Sequence, residues 1–181
     1  MAERLAKAQG HKDEGNTFFK DKKYSRAKSC YGKALAYIKA MPGSKRNTVP
    51  DMAKMLASRT DEGGALTEEM DEEAKQLEIV LHQNIALCYL KMNEPQETLK
   101  HCDLALQSDS KALKALLRKG QALLSLKRHE KAREVLEFAL SEHKNDLSAV
   151  AAINTVLSLI AKEEKEETLL EKQRFRGIFS K

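Results

Sequence analysis

Residues 84–105 read NIALCYLKMNEPQETLKHCDLA, and residues 118–139 read RKGQALLSLKRHEKAREVLEFA. The two stretches align without a gap. Ala86, Tyr89, Cys102 and Ala105 of the first are followed, 34 residues later, by Gly120, Leu123, Leu136 and Ala139 of the second. A small–large–large–small pattern at this period marks a tandem array of helix–turn–helix units. The reason is steric. Small residues sit where two helices of a unit cross closely, and larger ones fill the space beside the crossing.

The same template finds a further copy upstream. Gly15, Phe18, Tyr24, Ala27, Tyr31 and Ala34 hold the positions of Ala86, Tyr89, Pro95, Thr98, Cys102 and Ala105. The downstream copy has Gly120, Leu123, His129, Ala132, Leu136 and Ala139 there. This pattern resembles the tetratricopeptide repeat. The expected fold is all-α: three helix–turn–helix repeats plus a C-terminal capping helix that projects beyond the array. Thr98 replaces the usual alanine, which predicts a slightly wider helix pair in repeat two. His129 stands where an aromatic is usual, so packing is its expected role.

Between the first and second copies the offset is 71 rather than 34, an insertion of about one repeat. It holds Met41-Pro42-Gly43, Val49-Pro50 and Asp61-Glu62-Gly63-Gly64, which read as breaks. Asp51 is placed to cap a short helix over Met52 to Ser58. Thr67 is a fair N-cap, and Glu68 and Glu69 suit the positive end of a helix. No break follows until Asn93-Glu94-Pro95, so the second repeat's first helix runs about 26 residues, roughly 39 Å. Pro95 then opens the next helix, where its missing N–H does no harm. Ser110 and Asn145–Asp146 serve as breaks and caps in place of repeat-ending prolines. Leu147, Val150, Ala151, Asn154, Leu157 and Ile160–Ala161 form the stripe expected to cover repeat three. The charged run Glu163 to Glu167 cannot be core, so the helix is expected to leave the array there. The boundaries are one domain over 1–181, with repeat one at about 8–41 and the insertion and helix extension at about 42–77. Repeat two covers about 78–110, repeat three about 111–144, and the C-terminal helix about 146–176.

Composition narrows the function classes. Charged residues make up 33% and the net charge is +5. Lysines and glutamates are interspersed as on a solvated face, and aromatics are only 5%, which argues against nucleic acid. No apolar run approaches a membrane span. Cys30, Cys88 and Cys102 are an odd set without a Cys-x-x-Cys pair, read as small buried residues of a reducing compartment, cytoplasmic and also nuclear. His11, His82, His101, His129 and His143 lack metal-ligand spacing, and no nucleophile elbow or phosphate loop is present. No cofactor, metal or catalytic residue is expected.

An array of this kind has a groove lined by the first helix of each repeat. Lys12 and Asn16, Asn84, and Lys114 and Arg118 take groove-facing positions. Each i,i+4 pair shares a helix face, and Asn84 and Arg118 are equivalent positions 34 apart. Two lysines, an arginine and two asparagines supply many donors and no acid, a set suited to two nearby carboxylates. These five residues resemble the dicarboxylate clamp of co-chaperone tetratricopeptide domains. That resemblance implies capture of the C-terminal Glu-Glu-Val-Asp tail of the ninety- and seventy-kilodalton heat-shock chaperones. It also assigns Lys91 to the secondary groove, with Phe19, Leu87 and Leu90 either lining apolar pockets or packing between helices. The alternative is a scaffold binding an internal peptide or client without tail recognition.

The long insertion, the extended helix and the segment Glu14-Gly15-Asn16-Thr17-Phe18-Phe19 resemble the C-terminal half of FKBP-type immunophilins. Arg174-Phe175-Arg176-Gly177-Ile178-Phe179-Ser180 is similar to the ending of the aryl-hydrocarbon-receptor-interacting protein and its relatives. The resemblance covers nearly the whole chain and implies client contact through Phe175, Ile178 and Phe179. The basic amphipathic ending suits calmodulin or a client, and an extra turn of capping helix is the plainer reading. In such proteins an FKBP domain carries prolyl isomerase activity. None is expected here, and Met1 is expected to open either an excised fragment or a short form, the fragment being the favoured reading.

Overall fold

The computed structural model describes residues 2–41 and 68–179. The proposed loop at Met41-Pro42-Gly43, the breaks at Val49-Pro50 and at 61–64, the Asp51-capped helix and the Thr67 cap lie wholly or largely outside them. Among the described residues there are seven helices and no strand: α1 Ala2–Lys20, α2 Tyr24–Lys39, α3 Glu68–Lys91, α4 Pro95–Ser108, α5 Leu113–Ser125, α6 His129–Glu142 and α7 Leu147–Phe179. They group into two compact units, Met1–Ser110 and Lys111–Lys181. The first holds the pairs α1/α2 and α3/α4; the second holds α5/α6 and α7.

The turns repeat as faithfully as the sequence. Lys22, Asn93 and Lys127 take left-handed φ values of 61°, 59° and 57°, at spacings of 71 and then 34 residues. At each turn the next amide closes back on the preceding helix: Lys23 N–H on Phe18 C=O, Glu94 N–H on Tyr89 C=O and Arg128 N–H on Leu123 C=O, each at 2.9 Å. This is a Schellman closure, usually built on glycine. Only Asn93 is a residue that tolerates the left-handed region readily. Two of the three turns therefore carry the strain of a lysine there.

The small–large crossings have a direct steric basis. A Cβ on Gly15 would lie 2.6 Å from the Tyr31 ring, and one on Gly120 would lie 2.7 Å from a Leu136 methyl. Glycine is thus required where the facing residue is large. Ala86 stands in the repeat whose facing position is the smaller Cys102, and both are fully buried. Thr98 is also fully buried, and its hydroxyl donates to Glu94 C=O at 3.0 Å.

In the first unit, Leu5, Ala8, Tyr31, Leu35, Ile38, Met41, Leu77, Leu81 and Ile85 share one apolar cluster. Helix α1 begins at Ala2 rather than near residue 8, because its extra turns bury Leu5 and Ala8. Arg4 reinforces this by donating to Ala40 C=O at the end of α2. The α3 extension is stabilised in the same way, through Ala74 and Leu77. At 24 residues α3 is about 36 Å long.

The second unit corrects several expectations. Ser110 is not the cap of α5; Ala112 holds the N-cap position without a side-chain bond. Asp146 does cap α7, accepting from Ser148 N–H at 2.9 Å and Ala149 N–H at 3.0 Å. The covering stripe of α7 is Ala149, Ile153, Val156 and Ile160, whereas Leu147 is 83% exposed and Ala151 and Asn154 are exposed. Leu147 opens the helix ahead of the turn that first meets the repeat.

The acidic run also behaves differently. Glu163 accepts from Lys127 at 2.5 Å, and Glu164 from Arg133 at 2.6 Å. His129, rather than serving packing alone, lies 3.3 Å from Glu163 and 3.6 Å from Glu167. Lys127 holds the Glu163 carboxyl below its ordinary range. Ion pairs therefore carry α7 along α6 for a further turn before it becomes exposed from Lys165 onward. The helix ends at Phe179, three residues beyond the expected boundary.

Candidate functional site

Helix α1 presents Lys12, Asn16 and Phe19 at i, i+4 and i+7, one stripe of a helix of 3.6 residues per turn. All three are half-buried. The Lys12 side chain is 19% exposed, and its Nζ lies 3.9 Å from Asp13 Oδ1, at the outer limit of an ion pair. Helix propensity does not put these residues there; burial along the same side of the helix does. Leu5, Ala8 and Gly15 are buried, and that fixes the rotation of α1.

Asn16 has a specific partner. The Tyr31 hydroxyl of α2 donates to Asn16 Oδ1 at 2.8 Å. Tyr31 is 1% exposed, and the missing side chain of Gly15 lets its ring lie against α1. Phe19 packs on Tyr24 at 5.2 Å between ring centroids, beside the α1–α2 turn.

Helix α3 presents Asn84, Leu87 and Lys91 at i, i+3 and i+7, again one stripe. Asn84, Leu87 and Leu90 are half-buried and Lys91 is exposed. Burial of Leu81, Ile85, Ala86 and Cys88 sets the rotation. Helices α1 and α3 touch within the first unit. In the second unit, Lys114 and Arg118 share one face of α5, Lys114 exposed and Arg118 half-buried. Ala115 and Leu116 are buried beside them. On α7, Phe175 is 65% exposed, as are Leu169 at 57% and Leu170 at 53%. The side chains of Ile178 and Phe179 lie outside the described residues.

Two polar features were not read from the sequence. One is the Tyr31–Asn16 bond; its signal is that Tyr31 alone among Tyr31, Cys102 and Leu136 brings a hydroxyl to that core position. The other is a histidine pair between α3 and α4. His82 Nδ1 and His101 Nδ1 are 3.0 Å apart, and the His101 ring stacks on Tyr89 at 5.5 Å. Burial, then His101 and Lys39, pull the His82 pKa down to about 4. Burial also lowers that of His101.

All three cysteines are buried thiols. Burial, with Glu14 nearby, pushes the Cys30 pKa up. Among the described residues no group of three His, Cys, Asp or Glu could hold a metal ion, and no helix is long and apolar enough to cross a membrane.

Comparison with known proteins adds the following. A tetratricopeptide repeat family model matches residues 89–157. The peptidyl-prolyl cis-trans isomerase FKBP42 of Arabidopsis thaliana is 28% identical over 179 residues, 99% of this chain and 42% of its own length. FK506-binding protein 59 of Drosophila melanogaster is 29% identical over 180 residues, 99% of this chain and 34% of its own. The chain thus spans well under half of these relatives.

Among solved structures, the C-terminal TPR-containing domain of a Plasmodium falciparum putative FK506-binding protein superposes with a TM-score of 0.68 at 25% identity. The match covers 92% of this chain and 94% of that one. The first TPR domain of Spaghetti (RPAP3), bound to the HSP90 peptide SRMEEVD, gives 0.58 at 22% identity, covering 87% and 95%. The part of the Plasmodium protein that superposes is its C-terminal TPR-containing domain.

Proposed function

We propose that this chain, similar to the tetratricopeptide repeat family over residues 89–157 and to FKBP-type proteins over nearly its whole length, is a non-catalytic adaptor for heat-shock chaperones. Lys12, Asn16, Asn84, Lys114 and Arg118 hold the two carboxylates of a C-terminal aspartate. The observation that carries this reading is the side-chain arrangement within each unit. Lys12 and Asn16 share one face of α1, Asn84 stands on the stripe of the neighbouring α3, and Lys114 and Arg118 share one face of α5. The HSP90 peptide bound by a structural neighbour ends in Glu-Glu-Val-Asp, which supports a ligand of this class.

Donor chemistry supplies the mechanism. A free C-terminal aspartate offers two carboxylates a few ångströms apart, and an internal aspartate offers one. Lysine and arginine neutralise the charge, and the asparagine amides donate without adding any. Each charge-assisted hydrogen bond contributes roughly 1.5–3 kcal/mol. Two or three net bonds plus an apolar contact come to about 8 kcal/mol, a micromolar complex. Leu87, Phe19 and Lys91 continue the two stripes and meet the residues before the aspartate. The exposed distal part of α7, with Phe175, offers a second contact for a client. The setting is cytoplasmic, extending to the nucleus, consistent with three buried thiols.

The test is calorimetric titration with a Met-Glu-Glu-Val-Asp peptide, as free acid and as C-terminal amide. Micromolar binding of the acid alone, weakened by salt and lost in Lys114→Glu with helicity unchanged, is expected. Equal binding of acid and amide, or of parent and Lys114→Glu, would refute the clamp and favour internal-peptide recognition.

A further inference from the structure

Asn16 is the one proposed clamp residue whose side-chain amide has a described partner from another helix. The Tyr31 hydroxyl donates to its Oδ1 at 2.8 Å. We infer that Tyr31 is a positioning residue that orients the Asn16 amide for an anionic ligand, a reading that rests on the clamp proposed above.

An asparagine side chain has a donor end and an acceptor end of almost the same shape. Left to rotate, it can turn its oxygen toward an incoming carboxylate, which repels. With Oδ1 engaged by the Tyr31 O–H, the group left for a ligand is the NH₂ end, with two N–H donors and no lone pair. The tyrosine brings an apolar ring into the helix crossing and a hydroxyl that needs a partner once buried.

The arrangement is particular to repeat one. The positions equivalent to Tyr31 are Cys102 and Leu136, and those equivalent to Asn16 are Leu87 and Gln121. Neither later repeat combines a phenol with an asparagine. The geometry also needs Gly15, since a Cβ there would lie 2.6 Å from Tyr31 Cε1 and 2.7 Å from its Cδ1. Removing that carbon brings the ring down onto α1, with its hydroxyl at the next residue along. Glycine, asparagine and tyrosine thus act as one unit, in which backbone access and ring depth fix the direction of an amide.

The experiment is a double-mutant cycle with the free-acid Met-Glu-Glu-Val-Asp peptide, using the parent, Tyr31→Phe, Asn16→Ala and the combined variant. Circular dichroism monitors the fold. Tyr31→Phe keeps the ring and removes only the hydroxyl. The expected result is about a three- to tenfold loss of affinity in Tyr31→Phe. In the Asn16→Ala background the same change should cost nothing further.

A ligand-free readout accompanies it. The two Asn16 side-chain N–H resonances should be sharp and dispersed in the parent, and shifted toward the positions of a solvent-exposed asparagine in Tyr31→Phe. If Asn16→Ala weakens binding while Tyr31→Phe binds like the parent, the inference fails and the clamp stands. Equal losses from Tyr31→Phe with and without Asn16 would also overturn it, since the tyrosine would then act through the fold. If Asn16→Ala has no effect and acid and amide bind alike, the clamp reading itself fails. Unchanged Asn16 resonances in Tyr31→Phe would separately show that the hydroxyl does not orient the amide.

Discussion

Acidification from pH 7.5 to 4.5 should destabilise the first unit through the His82–His101 pair. At 3.0 Å between the two Nδ1 atoms, one ring donates and the other accepts, so the pair holds a single shared proton. Protonating both rings removes the acceptor, breaks that bond and sets two like charges together in a site where His82 is 4% exposed. Lys39 disfavours protonation of both rings. Lys100 and Lys28 act against it at His101, while Glu97 favours it there and Glu78 lies 3.9 Å from His82 Nε2.

The sign follows from linkage. His82 titrates at its ordinary 6.5 when unfolded and at about 4 when folded. Between those values the unfolded chain binds more protons, so stability falls as pH drops from 6.5 toward 4. For these two values the loss between pH 7.5 and 4.5 is about 2–3 kcal/mol from His82 alone. That corresponds to a fall in Tm of roughly 10–20 °C for a unit of this size. The assay is thermal and urea unfolding at both pH values, of the parent and of a His82→Phe/His101→Phe variant that keeps two rings beside Tyr89. The variant should show a pH dependence smaller by that amount. Equal pH dependence in both proteins would refute the reasoning.

Two further outcomes follow from the packing. Gly15→Ala should destabilise by about 1–2 kcal/mol, because overpacking against a rigid ring costs more than the roughly 1 kcal/mol that alanine gains in helix propensity. Gly120→Ala should cost less, since the Leu136 methyls can move; urea midpoints for the two variants check the order. Asp146→Ala removes a cap that receives two N–H groups. It should cost about 1 kcal/mol and show as faster hydrogen exchange in the first turn of α7.

What the sequence determined by itself was whatever recurs. The 34-residue spacing of small and large residues is a steric rule repeated in each pair, so Gly15, Ala86 and Gly120 could be placed on their helices, and the i,i+4 pairs Lys12/Asn16 and Lys114/Arg118 with them. Pro95 and Asp146 were legible because an N1 proline and a capping carboxylate act on their own few residues.

Contacts between helices distant in sequence were not legible. The burial of Leu5 and Ala8 that starts α1 at Ala2 depends on the far end of α2, and the docking of Glu163 and Glu164 depends on the first turn of α6. The stripe of α7 was placed only in part, with Ile160 buried but Leu147, Ala151 and Asn154 exposed, because alanines, leucines and isoleucines lie all around that helix. Only the surface it meets selects Ala149, Ile153, Val156 and Ile160. The His82–His101 and Tyr31–Asn16 bonds belong to the same class. Each joins two helices through single polar atoms whose meeting is set by helix rotation to within about an ångström, a quantity that periodicity leaves open and close packing decides.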